Sequence, residues 1–199
     1  MTLPDAPPVG QVAVALDAAV VDARGVLDDY WSRHWPELFT GAYTSPTFLG
    51  LYDGHAADVP TCGERVLPAD NAVYCVPRDY LAFDRTLMGL RSQIGDSWPY
   101  LVVAHEWGHA VQARLARELN SSQVELQADC FAGAALYGAA ADGTLVLGPD
   151  AATEIATALT AAADETPWTD SRDHGNARER VGAFDAGRVS GPPACLPKP

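Results

Sequence analysis

Residues 98–118, Trp-Pro-Tyr-Leu-Val-Val-Ala-His-Glu-Trp-Gly-His-Ala-Val-Gln-Ala-Arg-Leu-Ala-Arg-Glu, constrain this chain more than any other stretch. Residues 101–104 with Ala110, Val111, Ala113 and Leu115 cover most of a helix circumference, as a helix threading a core requires. Inside that apolar run stands His105-Glu106-Trp107-Gly108-His109, the HExxH pattern. Histidines four apart share one helical face, so both imidazoles can reach one metal ion, with Glu106 placed to hold its water. Two histidines and a glutamate buried without a partner are costly, and a metal supplies that partner. The plainer alternative is a pair of packing or hydrogen-bonding histidines. Gly108 costs about 1 kcal/mol relative to alanine inside a helix. It answers either a close approach of another backbone or nothing more than tolerance of a small residue.

The charge balance narrows the partners. Against 13 basic residues stand 26 acidic ones, a net charge of −13, which argues against nucleic acid and anionic membrane surfaces and leaves a peptide substrate open. No run of eighteen apolar residues spans a membrane. The opening Met-Thr-Leu-Pro-Asp has no basic segment of the kind that begins a signal peptide. Either the protein stays inside or an upstream signal or anchor is absent from this chain. Cys62, Cys75, Cys130 and Cys195 have no C-x-x-C spacing, so they form no cysteine zinc site. They are two disulfides, with three pairings open, or four free thiols. Disulfides are the expectation, and with them a secreted or envelope location, a cytoplasmic one being the alternative.

In chain order, residues 1–8 read as a disordered lead-in. Val12, Leu16, Val20, Leu27 and Tyr30 then recur at helical spacing over 9–31, predicting an amphipathic helix that covers the core. Prolines and glycines punctuate 36–70, predicting irregular chain with short strands, and His34 and His55 there have no ligand spacing to anything. Residues 72–76 and 80–84 read as two strands joined through Pro77-Arg78. A short helix over 87–94 closes at Gly95, and Asp96 or Ser97 caps the HExxH helix, with Pro99 in its first turn. A turn at Asn120 leads to an Ala-rich helix over 123–140, followed by helices over 151–163 and 177–189. Loops cover 141–148 and 167–175. The expected organisation is a lead-in and packed helix over 1–35 and one domain over 36–199.

A catalytic zinc takes three protein ligands and keeps one open position. The metzincin pattern needs a glycine and a histidine where this chain has Gln112 and Leu115, so the third ligand lies elsewhere. Glu125 and Asp129, four apart amid Leu126, Ala128, Cys130 and Phe131, share a face of the following helix. An antiparallel return would set Glu125 opposite the histidines, and Asp129 one turn on would accept a hydrogen bond from one of them. An exposed acidic pair is the alternative for these two, and His174 is an alternative ligand.

His-Glu-Trp-Gly-His followed by Glu-Leu-Gln-Ala-Asp-Cys-Phe-Ala-Gly resembles the bacterial family of putative neutral zinc metallopeptidases, itself similar to gluzincins. The likeness runs over about residues 40–195 and includes Cys62-Gly63, Asn71 to Cys75, Phe83-Asp84, Asp173-His174-Gly175, Arg180-Val181 and Phe184. It departs at Val76, where the family pattern has proline. The resemblance implies zinc held by His105, His109 and Glu125, Glu106 as general base, and a strand, here 80–83, alongside the substrate backbone. The fold expected is α+β, mainly helical and zincin-like, with a small hairpin or sheet beside the HExxH helix. The activity expected is hydrolysis of a peptide or protein by a metal-activated water. The alternatives are a zinc-binding but inactive envelope module and a hydrolase of a non-protein amide. His174, oriented by Asp173 or Asp170, is the candidate donor to the oxyanion, with a packing or capping role as its alternative. The cysteine pairing expected is Cys62–Cys75, closing the loop before the hairpin, and Cys130–Cys195, pinning the tail.

Overall fold

The computed structural model describes residues 9–166 and 173–197. The lead-in over 1–8 and the loop residues 167–172, Asp170 among them, lie outside the described residues. The chain is mainly helical with a small sheet, an α+β arrangement: α1 (Val9–Leu38), β1 (Thr47–Tyr52), β2 (Thr61–Cys62), β3 (Arg65–Val66), β4 (Ala72–Cys75), β5 (Tyr80–Asp84), α2 (Arg85–Gly89), α3 (Arg91–Ile94), α4 (Trp98–Gln112), α5 (Val124–Ala141), α6 (Ala151–Ala161) and α7 (Ala177–Ser190).

Helix α1 runs past the break expected at Pro36. Its apolar stripe continues through Trp31 and Trp35, both fully buried, and Trp35 packs against the rings of Phe39 and Tyr43 at 4.7 and 5.5 Å. Packing of those rings on the buried Trp35 keeps the last turn helical although Pro36 donates no hydrogen bond there. Trp31 meets Phe131 of α5 edge to face at 5.8 Å, tying α1 to the helix behind the HExxH element.

The HExxH element, α4, is buried almost all round, as its apolar run requires. It stops at Gln112, short of the 118 read from the pattern. Asn120 donates its side-chain amide to the Gln112 carbonyl at 3.2 Å, occupying an acceptor that another helical turn would have used. The start is capped differently from expectation. Ser97 makes no side-chain cap bond; its own backbone N–H donates to Glu154 of α6 at 2.9 Å. A carboxylate from another helix thus stands at the positive end of α4.

Small residues let the helices approach. A Cβ on Gly108 would lie 2.8 Å from the Ala128 Cα and carbonyl oxygen, so Gly108 serves close contact between α4 and α5. Between α5 and α7 the approach is tighter: a Cβ on Gly133 would lie 2.1 Å from the Phe184 oxygen, and one on Gly187 1.9 Å from the Cys130 oxygen. The sheet has the order β1-β5-β4, with β5 parallel to β1 and antiparallel to β4. Both cysteine pairs are bridged as expected, Cys62–Cys75 and Cys130–Cys195. Among the described residues no helix is long and apolar enough to cross a membrane.

The α5–α7 contact yields the first test. Gly133→Ala and Gly187→Ala each press a methyl onto a backbone carbonyl and should destabilise the protein by about 1–3 kcal/mol or more. Thermal unfolding measures this, and an unchanged melt for both would show that the two helices separate freely.

Candidate metal centre

Helices α4 and α5 run antiparallel, as their paired contacts show: His105 meets Asp129, Gly108 meets Ala128, and Gln112 meets Val124. Glu125 therefore faces both histidines. Its Oε2 lies 3.2 Å from His105 Nε2 and 3.5 Å from His109 Nε2. The three donor atoms all fall within 4.8 Å of one another. Ligands about 2.0–2.2 Å from a tetrahedral zinc stand about 3.3–3.6 Å apart, so this donor set fits that ion closely. His34 and His55 lie elsewhere, beside Asp142 and Asp70.

Each imidazole has a second partner. His105 Nδ1 lies 2.8 Å from Asp129 Oδ1, the contact expected of Asp129. Asp129 is fully buried and takes a two-pronged ion pair from Arg180 of α7, at 2.8 and 2.9 Å; Arg180 also donates to the Ala162 carbonyl. His109 Nδ1 lies 2.8 Å from Gln112 Oε1. Both rings thus turn Nε2 toward Glu125.

The charges support one another. Burial works to lower the His105 pKa, but the carboxylates of Asp129, Glu125 and Glu106 outweigh it and raise the value to about 10. Burial likewise opposes a charged His109, and its hydrogen bond to the Glu125 carboxylate overcomes it, so its pKa is also raised. Burial would raise the carboxyls of Glu125 and Asp129. The two histidines hold Glu125 far below the usual range, while His105 and Arg180 hold Asp129 low.

Glu106 is buried beside this cluster, and its Oε2 accepts the Tyr74 backbone N–H at 2.7 Å. That contact corrects the strand expectation. The strand over residues 80–83, β5, is the middle of the sheet, with β1 on one side and β4 on the other. Its hydrogen-bonding groups are taken on both edges, so it cannot lie along a substrate. The edge strand at Glu106 is β4.

A pocket of about 160 Å³ opens next to His105 and Glu106. Leu87, Trp98, Val102, Ala158 and Leu159 line it, and Arg180 and His174 stand at its wall. Next to His174 the backbone bends at Gly175, with φ +87°. Its ring is more than half exposed, and the carboxylate beside it is Asp164, 3.7 Å from Nδ1, while its backbone N–H donates to Asp164 at 2.7 Å.

Sequence reading missed Arg180, Gln112, Gln127 and the Tyr74 N–H as parts of the site. Gln112 was findable, since three residues past His109 is the same helical face. Arg180, 51 residues from Asp129, carried no local signal.

A family model described as putative neutral zinc metallopeptidase matches residues 27–196, most of the chain. No curated protein and no solved structure gives a significant match.

The raised His105 pKa predicts how stability follows pH in the metal-free protein. A histidine raised from 6.5 to about 10 contributes fully below about 6.5 and progressively less as pH climbs to about 10. The lowered Glu125 and Asp129 contribute above about pH 4 and lose that contribution in acid. Thermal melts across pH should show both losses, and added zinc should remove the alkaline one by replacing the protons. A metal-free melting temperature that stays level between pH 7 and 10 would contradict a charged His105.

Proposed function

The chain belongs to the putative neutral zinc metallopeptidase family, and we propose that it hydrolyses peptide bonds with zinc held by His105, His109 and Glu125. The observation that carries this reading is the fit of two imidazole nitrogens and one carboxylate oxygen to a single ion, with Glu106 buried beside them. We assign the arrangement to the gluzincin type and the domain to the zincin-like fold, because HExxH lies on one helix and Glu-x-x-x-Asp on the next. Residues 36–199 form the proposed peptidase domain. Residues 1–35 bring the lead-in and most of α1, which crosses that boundary. Two disulfides favour an oxidising compartment outside the cytoplasm.

When bound, zinc supplies a Lewis acid that acidifies a water and polarises the scissile carbonyl. Glu106 is the general base: its carboxylate takes the proton from the attacking water and passes it to the leaving amine nitrogen. The Tyr74 N–H, bonded to Oε2, fixes the orientation of that carboxylate. Asp129 accepts from His105 Nδ1 and keeps Nε2 turned to the ion, while Arg180 neutralises Asp129. His174, at the wall of the same pocket, is the proposed donor to the carbonyl oxygen as it gains charge.

The pocket supports a preference within peptide substrates. The apolar wall of Leu87, Trp98, Val102, Ala158 and Leu159 in a cavity of about 160 Å³ supports one medium-sized apolar side chain next to the scissile bond.

Three measurements test the reading. Glu106→Gln should keep zinc and lose about 10²–10⁴ in rate on casein, whereas Glu125→Ala should lose zinc. Retention of tight zinc by Glu125→Ala, or its loss from Glu106→Gln, would overturn the assignment. His174→Ala should cut kcat with zinc retained, losing about 2.7–4 kcal/mol of barrier stabilisation; unchanged activity returns it to a structural residue. Cleavage sites mapped on casein should carry Leu, Met or Phe on one side, and Ala158→Trp should shift them to Gly and Ala. Zinc binding without any cleavage would favour the inactive module, and cleavage of wall peptides alone the non-protein amide.

A further inference from the structure

Behind His109 two buried glutamines make a chain of hydrogen bonds in which every amide position is used. The Leu119 and Cys195 carbonyl oxygens can only accept, and Gln127 Nε2 donates to them at 2.8 and 3.0 Å. Gln127 Oε1 is left to accept, from Gln112 Nε2 at 3.1 Å and from the Ser121 N–H at 3.0 Å. Gln112 Nε2 also donates to the Val124 carbonyl at 2.7 Å, so both its hydrogens are occupied. Only Gln112 Oε1 remains to face His109 Nδ1, 2.8 Å away. An amide oxygen accepts, so Nδ1 donates and Nε2 is the nitrogen left for an ion.

Backbone groups fix both amides, Val124 that of Gln112 and Leu119, Ser121 and Cys195 that of Gln127, and one of these anchors belongs to the tail. We infer that Gln112 and Gln127 are positioning residues that tie the His109 ring to the disulfide-pinned turn at Cys195, making that turn part of the metal site. The inference rests on the zinc reading above. The Cys130–Cys195 bridge joins the turn Pro192–Cys195 to α5 one helical turn beyond Gln127. An open cavity of about 290 Å³ borders Gln127 and Cys195. If the tail leaves, Gln127 loses the Cys195 carbonyl and water enters in its place, so its amide is held by Leu119 and Ser121 alone and the His109 ring is set less firmly.

The experiment compares wild type with Gln112→Leu, Gln127→Met, the double variant Cys130→Ala/Cys195→Ala, and Leu27→Ala. Leu27 is a fully buried α1 residue used as a stability comparator. Two readouts are taken: zinc affinity by chelator competition, and the solvent exchange rate of the His109 Nδ1 proton by NMR, with and without zinc. Gln112→Leu should weaken zinc about 10- to 100-fold, and Gln127→Met and the double variant about tenfold. All three should speed exchange of the Nδ1 proton. Leu27→Ala should lower Tm and move neither readout. If Gln127→Met fails to fold, Gln127→Glu keeps the shape but removes both donors, and the same losses are expected. Unchanged zinc affinity and proton exchange in the Gln127 and cysteine variants, or losses no larger than those of Leu27→Ala at matched Tm, overturn the relay. Wild type that binds no zinc overturns the metal reading; the Nδ1 exchange rates in metal-free protein then decide the relay alone.

Discussion

The approach of α4 to α5 at Gly108 and Ala128 is the constraint on which the rest depends. With no side chain on Gly108, the helices sit close enough for Glu125 to reach two imidazoles one helical turn apart. A single methyl at that position would meet the Ala128 backbone and push the carboxylate away from the pair. The roughly 1 kcal/mol that glycine costs a helix is therefore offset by the geometry it permits. Two further glycines, Gly133 and Gly187, bring α7 onto the opposite side of α5. That second approach delivers Arg180 to Asp129.

The outcome is a buried file of alternating charge across three helices: Arg180, Asp129, His105 and Glu125. Any one of these groups alone would be costly to bury, and removing one would strand its neighbour. Together each is held in its charged form by the next, which is why burial fails to neutralise them. The file also has direction. Arg180 occupies both Asp129 oxygens, and Oδ1 in turn faces His105 Nδ1, leaving Nε2 toward Glu125. His109 is oriented by neutral amides instead, so the two rings are set by unlike means.

The sheet contributes by position. Its edge strand β4 lies against α4, and one backbone N–H, that of Tyr74, reaches Glu106. The Cys62–Cys75 bridge holds that strand to β2. Arg114, just beyond α4, binds both oxygens of Asp79 in the turn between β4 and β5, fixing the far end of the same strand. The Glu106 carboxylate is thus anchored by backbone rather than by a side chain that could swing.

What the sequence determined by itself was local and periodic. His105 and His109, like Glu125 and Asp129, are four apart, and that interval puts two side chains on one face of any helix, whatever it packs against. The apolar run around HExxH made α4 a core helix before any partner was known. Cysteine count allowed the disulfides, and Glu125 stood as the candidate third ligand from its place on the next apolar helix, which the resemblance then supported. Only the tertiary structure decided the rest. Arg180 meets Asp129 because two glycines let α7 approach α5, and nothing near Arg180 in the chain signals it. Strand β5 read as well as β4 for a place beside the site, since strand order is set by pairing between segments and not by the composition of either. Pro36 read as a break, yet the buried Trp35 ring packed on Phe39 carries α1 to Leu38. Gln127 and Cys195 are 68 residues apart and meet because a disulfide and a buried carbonyl close that distance, a contact that no periodicity encodes.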